Sequence, residues 1–208
     1  MKIVTISDTH GLHRDLKLDG GDVLIHAGDC TRGGNTSDTM DFFDWFSIQM
    51  FRHKILVPGN HDFIFEHPVK AAKIRGHFPD VHVLMDSGVN IEGCNFWGSP
   101  WSLPFYDWAF MKTERELEVV WDLIPDNTNF LITHGPALNI LDQVDNGDHV
   151  GSSTLLKKIN QLKYLNFHVT GHIHEAYGEM ERKGVLHFNS SVLNSRYQLI
   201  NKPHVMEF

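Results

Sequence analysis

The sequence is short of cysteine, of basic residues and of long apolar runs. Its two cysteines, Cys30 and Cys94, show no paired metal-ligand spacing, and so low a count suits a reducing compartment better than a disulfide scaffold. Lys and Arg number 18 against 26 Asp and Glu, a formal charge of −8 with histidine neutral. Binding to long nucleic acid is driven by neutralising phosphates with Lys and Arg, so this balance argues against it. A small anionic ligand stays open, because bound divalent cations reverse the local field. No run approaches the ~20 apolar residues of a membrane span, and no apolar leader precedes the first strand. The default expectation is a cytoplasmic protein that does not engage a membrane. No linker, repeat or low-complexity tract divides the chain, so a single domain over residues 1–208 is expected.

What is present is a core and a surplus of imidazole. Hydrophobic residues make up 41% of the chain, with 14 Phe and 5 Trp, enough to argue against disorder. The 15 histidines are a high count for the commonest neutral metal ligand.

The histidines and carboxylates gather where apolar runs stop. Ile55-Leu56-Val57 is cut off by Pro58-Gly59, and Asn60-His61-Asp62 follow. Proline lacks the donor a strand needs and glycine tolerates an abrupt turn. Ile3 to Ser7 runs into Asp8-Thr9-His10, Val23 to Ala27 into Gly28-Asp29, Phe130 to Thr133 into His134-Gly135, and Phe167 to Thr170 into Gly171-His172-Ile173-His174. Five strand ends therefore each deliver side chains able to bind metal.

Between these strands the spacing predicts a helix from about Ser37 to Phe51, capped by Thr36 or Ser37, and a short one from Pro68 to Arg75 ended by Gly76. Thr113 to Glu116 has the form of a capping box, and Ser152 or Ser153 caps a further helix. Residues 81–84 and 95–97 read as an antiparallel meander or hairpin, residues 98–108 as an aromatic loop, and residues 167–170, 176–181, 185–189 and 204–207 as closing strands. Strands alternating with helices, plus runs of consecutive strands, predict two packed sheets flanked by helices. In such α/β folds ligands collect at the carboxyl ends of strands.

Asp8, His10, Asp29, Asn60, His134, His172 and His174 form an oxygen and nitrogen donor set that suits manganese, iron or zinc. Singly, an Asp-x-His or His-x-His is a weak signal, since neighbours on a strand point to opposite faces. The ordered set at five strand ends is what carries weight. Seven ligands exceed the needs of one ion; two ions sharing a carboxylate use them better, and Asp29 is the natural bridge. Two divalent ions about 3.5–4 Å apart can hold a hydroxide at neutral pH and clamp a phosphoryl group for in-line attack. The chemistry indicated is hydrolysis of a phosphate ester.

Asp8-x-His10, Gly28-Asp29, Gly59-Asn60-His61-Asp62, Thr133-His134-Gly135 and Gly171-His172-x-His174 follow in an order that resembles the calcineurin-like metallophosphoesterase superfamily. Gly98-Ser99-Pro100-Trp101, Trp108-Ala109-Phe110, His134-Gly135-Pro136, Ile140-Leu141-Asp142 and His149-Val150-Gly151 are similar to its metallophosphoesterase-domain-containing branch. The resemblance implies a four-layer αββα sandwich of mixed sheets with a dinuclear site. Asp8, His10, Asp29 and His174 would hold one ion, and Asp29, Asn60, His134 and His172 the other. It also gives His61 the place of the histidine that contacts the phosphate and protonates the leaving oxygen. One departure stands out: many members of the superfamily carry an aspartate three residues after the bridging one, where it supports that histidine, and this chain has Arg32 there.

Beside the set, Arg32 and His149 are candidate substrate contacts along with Asn60 and His61. Trp101, Phe105 and Trp108 read first as cover for a core or loop and second as a platform for a base. His13 and His26 read as supporting groups, and Cys30 as packing. The leading reading is a dinuclear phosphodiesterase acting on a small phosphodiester, with a cyclic nucleotide as the substrate the resemblance suggests. The alternatives are a nucleotide-binding regulatory protein with weak catalysis, and a phosphomonoesterase or nuclease of the same superfamily.

Overall fold

The computed structural model covers residues 1–208 and consists of two mixed sheets face to face, each covered on its outer side by two helices. The first sheet holds β1 (Lys2–Ile6), β2 (Gly21–His26), β3 (Phe51–Leu56) and β4 (Val81–Val83) in parallel. A last strand, β11 (His204–Glu207), lies antiparallel on β1 and completes the order β11-β1-β2-β3-β4. The second sheet is parallel through β6 (Cys94–Ser99), β7 (Phe130–Thr133), β8 (Phe167–Thr170) and β10 (Val185–Asn189). Antiparallel β5 (Ser87–Ile91) and β9 (Gly178–Arg182) flank it, giving the order β5-β6-β7-β8-β10-β9.

The two-residue period of each strand builds the layers. Ile3, Val23, Ile25 and Ile55 point inward and meet Phe96, Phe130, Ile132, Phe167 and Val169 of the second sheet. Val4, Leu24 and Leu56 point outward, under α1 (Thr36–Ser47) and α2 (Pro68–His77). On the far side Leu131 packs under α3 (Glu114–Trp121) and α4 (Ser153–Ile159). Strands covered on both faces read as unbroken apolar runs, which is how they appear in the sequence. No helix is long and apolar enough to cross a membrane.

At several points the structure departs from the sequence reading. α1 ends at Ser47 and Phe51 opens β3; its cap is Asn35, whose side chain accepts from the Asp38 amide. The helical spacing of Met40, Phe43 and Phe46 carried the expected helix past the turn that separates Ser47 from Phe51. α2 runs through Gly76 to His77, since one glycine costs a helix only about 1 kcal/mol. β4 pairs parallel with β3 in the first sheet rather than with β6. The hairpin partner of β6 is β5, a half-exposed stretch with Gly88 inside it and little hydrophobic alternation. The capping box holds, with the Glu116 carboxylate accepting from the Thr113 amide and hydroxyl, and Ser152 caps α4.

At the centre of the sandwich Phe130 stacks on Phe96 and Phe167, neighbours in register, with centroids 4.4 and 4.7 Å apart and near-parallel rings. Phe130→Ala opens a cavity between the sheets and should lower unfolding free energy by about 3–5 kcal/mol in urea titration. A loss under 1 kcal/mol would show that the stack is not central to the core.

Candidate metal centre

The carboxyl ends of β1, β2, β3, β7 and β8 meet at one edge of the sandwich, and the loops leaving them carry the polar side chains. These loops are unusually bent. Asp8, His10, Asp29 and His172 have φ of 54°, 41°, 57° and 68°, a left-handed conformation that costs non-glycine residues on the order of 1–3 kcal/mol each. Cross-loop bonds hold it in place: the Asp8 amide donates to the Gly28 carbonyl at 2.9 Å and the His10 amide to the Asp29 carbonyl at 3.0 Å. Glycines make room for the approach. A Cβ on Gly59 would overlap the Asp29 carboxylate, and one on Gly171 would overlap Ser7 and the Asp8 carboxylate.

Three groups of side chains converge, each with its donor atoms within 4.8 Å of one another: Asp8, His10 and His174; His10, Asp29 and His61; Asp29, His134 and His172. Asp29 lies between them. Its Oδ1 is 3.4 Å from His134 Nε2 and its Oδ2 is 3.7 Å from His10 Nε2. Asn60 joins through Oδ1, 2.8 Å from His134 Nε2, so the structure brings all seven candidate ligands together.

Backbone carbonyls set the orientation of several rings. Nδ1 of His134 meets Ala27 O at 2.9 Å, Nδ1 of His174 meets Asn194 O at 3.1 Å, and Nδ1 of His61 meets Arg32 O at 2.8 Å. With Nδ1–H donating outward, each ring turns Nε2 toward the centre, the arrangement that metal-binding histidines adopt.

Burial by itself would raise the Asp8 and Asp29 carboxyls. The hydrogen bond and charge of His174 override it at Asp8, and the charge of His134 overrides it at Asp29, so both are held well below the usual carboxylate range. Burial also works against charge on the histidines. It prevails at His10 and His172, pushed down to about 4. At His134 and His174 the neighbouring Asp29 and Asp8 prevail, and both are raised to about 9.

Both ring nitrogens of His10 are buried with no hydrogen-bond partner. An unpartnered buried polar atom is costly. Here it belongs to a neutral imidazole amid buried carboxylates, a donor set of oxygen and nitrogen that fits divalent cations.

A profile of the family described as calcineurin-like phosphoesterases matches residues 1–176. The chain belongs to that family. It is 35% identical to metallophosphoesterase domain-containing protein 1 of Homo sapiens over 229 residues, covering 99% of this chain and 70% of that protein. UPF0046 protein K07C11.7 of Caenorhabditis elegans is 32% identical over 218 residues, covering 99% of this chain and 74% of its own. The crystal structure of TT1561 of Thermus thermophilus superposes with a TM-score of 0.66 at 15% identity, over 99% of this chain and 97% of that one, a likeness of fold.

Around this metallophosphoesterase centre the remaining candidates separate. His61 lies at its edge, Nε2 3.9 Å from Asp29 Oδ2, and stacks on Trp108 with centroids 4.0 Å apart. Arg32 lies nearby and donates from Nε to the His10 carbonyl. His149 does not line the cavity at the centre. It pairs with Asp142, which also accepts from the Asn139 and Gly151 amides, and so braces its own loop. His26 supports from beneath, bonded to Thr9 and to the Gly28 amide. Cys30 is buried, its thiol 3.3 Å from Asp62.

Two contributors went unassigned in the sequence reading. Buried Asp62 accepts from the amides of Gly59, Cys30 and Thr31 and from the Thr31 hydroxyl, tying the loop after β2 to the loop after β3. Its place in Gly59-Asn60-His61-Asp62 was the available signal. Tyr197, from the distant C-terminal segment, lays its ring 5.0 Å from His10 and 5.1 Å from His174, and nothing local in the sequence announces it.

Gly171→Ala should abolish tight divalent-metal binding, read by metal analysis after gel filtration, because the new methyl displaces Asp8. Protons give a second test. His134 and His174 carry raised values, so their contribution to the metal-free fold is complete below pH 6.5 and lost as pH rises through about 9. The urea midpoint of chelator-treated protein should fall over that window. Loading manganese at pH 7 should release protons, seen as a calorimetric enthalpy that depends on the buffer.

Proposed function

We propose that this phosphoesterase is a divalent-metal-dependent phosphodiesterase acting on a small organic phosphodiester, the class that includes the cyclic nucleotides its sequence resemblance suggests. The observation that carries the reading is the convergence on Asp29 of ligands from both sheets, at the inner end of a cavity of about 590 Å³. Asp8, His10, Asp29 and His174 would hold one cation, and Asp29, Asn60, His134 and His172 the other; manganese, iron and zinc all accept such donors. When bound, such a pair lowers the pKa of water and neutralises charge on phosphoryl oxygens.

The chain's own residues supply the rest. His61, with Nδ1 occupied by the Arg32 carbonyl, presents Nε2 to hold the proton that the leaving ester oxygen takes. A backbone carbonyl does here the orienting that a carboxylate does in many relatives. The Trp108 face fixes the same ring from a second side. No Lys or Arg lines the large cavity, which favours the monoanion of a diester with an organic body over the dianion of a monoester. Both sheets contribute ligands, so the unit that carries the activity is the one domain of residues 1–208. Two free thiols agree with a cytoplasmic setting.

Hydrolysis of an aryl phosphodiester and of the matching monoester, with and without manganese, tests this. The expected result is metal-dependent turnover with the diester at least about ten-fold faster, and a loss of about 10²–10⁴ in kcat for His61→Ala. Faster monoester turnover would make the protein a phosphomonoesterase. Tight nucleotide binding by calorimetry with turnover at background would make it a binding protein, the reading that Arg32 in place of the supporting acid favours.

A further inference from the structure

Two cavities adjoin at the candidate metal centre. The larger, about 590 Å³, falls within the range of roughly 300–1,000 Å³ typical of organic ligands. The smaller, about 280 Å³, is lined by His10, Leu12, Arg32, His61, Leu193 and Tyr197. His10, His61 and Tyr197 line both, and no other residue does. A phosphoryl group held at the centre lies against that shared wall, with the larger cavity on its own side and the smaller one just beyond His10, His61 and Tyr197.

The two spaces differ in chemistry. The larger is walled by Trp101, Leu103, Phe105, Tyr106, Trp108 and Val150. The Trp101 indole N–H is already donated to Asp86, and the Ser152 hydroxyl to Glu114. Phe105 and Tyr106 pack edge to face at 4.5 Å yet are 59% and 81% exposed, so apolar surface at this cavity has no partner within the protein. Arg32 is the one guanidinium or ammonium group lining either cavity. Its Nε is fixed on the His10 carbonyl, and its two terminal amino groups have no partner in the protein. Such a fork suits a carboxylate or phosphate.

We propose that the substrate is an acyclic, unsymmetrical phosphodiester whose large apolar arm fills the aromatic cavity and whose small anionic arm reaches Arg32. This rests on the phosphodiesterase reading and narrows it. A cyclic nucleotide returns both ester oxygens to one sugar, so it fills one cavity and leaves Arg32 unpaired. In the reaction, water forms one new P–O bond and one ester P–O bond breaks. The leaving oxygen takes a proton, and the products are an alcohol and a phosphomonoester.

The test uses four probes with manganese, followed by phosphorus NMR. They are naphthylmethyl carboxyethyl phosphate, its neutral analogue naphthylmethyl propyl phosphate, the apolar-arm deletion ethyl carboxyethyl phosphate, and cyclic AMP. The first should exceed each of the others in kcat/KM by about ten-fold, the size expected of one charge-assisted contact or one buried aromatic group. Arg32→Gln should erase its advantage over the neutral analogue, and Val150→Arg its advantage over the ethyl compound. Each comparison is a ratio within one variant, so a general loss of folded protein cancels. Cyclic AMP as the fastest probe, or an unchanged ratio in Arg32→Gln, would overturn the proposal while leaving the phosphodiesterase reading intact. No turnover of any diester with manganese, iron or zinc would overturn both.

Discussion

Asp8 and Asp29 are buried charges with no lysine or arginine beside them. An isolated buried carboxylate is costly, and two close together are worse. Their compensation within the protein is amide hydrogen, from His172 and His61, and the imidazoles of His10, His61, His134 and His174. Without metal, two of those imidazoles must hold protons far above their ordinary range. Divalent cations remove the problem at its source, so the electrostatics of the bare chain and the donor set lead to the same requirement.

That requirement explains why the loops are shaped against local preference. Left-handed backbone at Asp8, His10, Asp29 and His172 is unfavourable, and it persists because the loops lock one another. Asp62 holds the turn after β2 against the turn after β3. Asn189, at the end of β10, donates to the Ile173 carbonyl and so fixes the loop that carries His172 and His174. The rigid parallel strands below supply fixed starting points, and the glycines allow the final approach.

Much of this was legible before any coordinates. Apolar runs ending in Asp, His or Asn located the five strands that converge on the candidate centre and the candidate donors that follow them, because buried parallel strands must be apolar and must release their chain at the same edge. What escaped was whatever depends on pairing across the sandwich. β5 carries too little apolar alternation to be seen without β6. β4 was assigned to the wrong neighbour, since parallel and antiparallel partners look alike in three residues. Trp108 was read mainly as cover, and its contact with His61 follows from how a proline-rich loop folds back. His149, in a glycine-containing loop after His134, was read as a substrate contact; its ring pairs with Asp142 and stands outside the wall of the large cavity. Arg32 was noticed for what it replaces; its carbonyl, a group every residue has, is what orients His61.

The order in which the centre can come together follows from its wide spread along the chain. Its donors run from Asp8 to His174, and one edge of β1 pairs with β11, Lys2 opposite Glu207. Contacts so remote in sequence form slowly. Asp8 and His174 cannot meet until every residue between them has been made, so the complete donor set is among the later features of this domain to assemble. Until then, fifteen scattered imidazoles offer only loose, competing perches for the same ion.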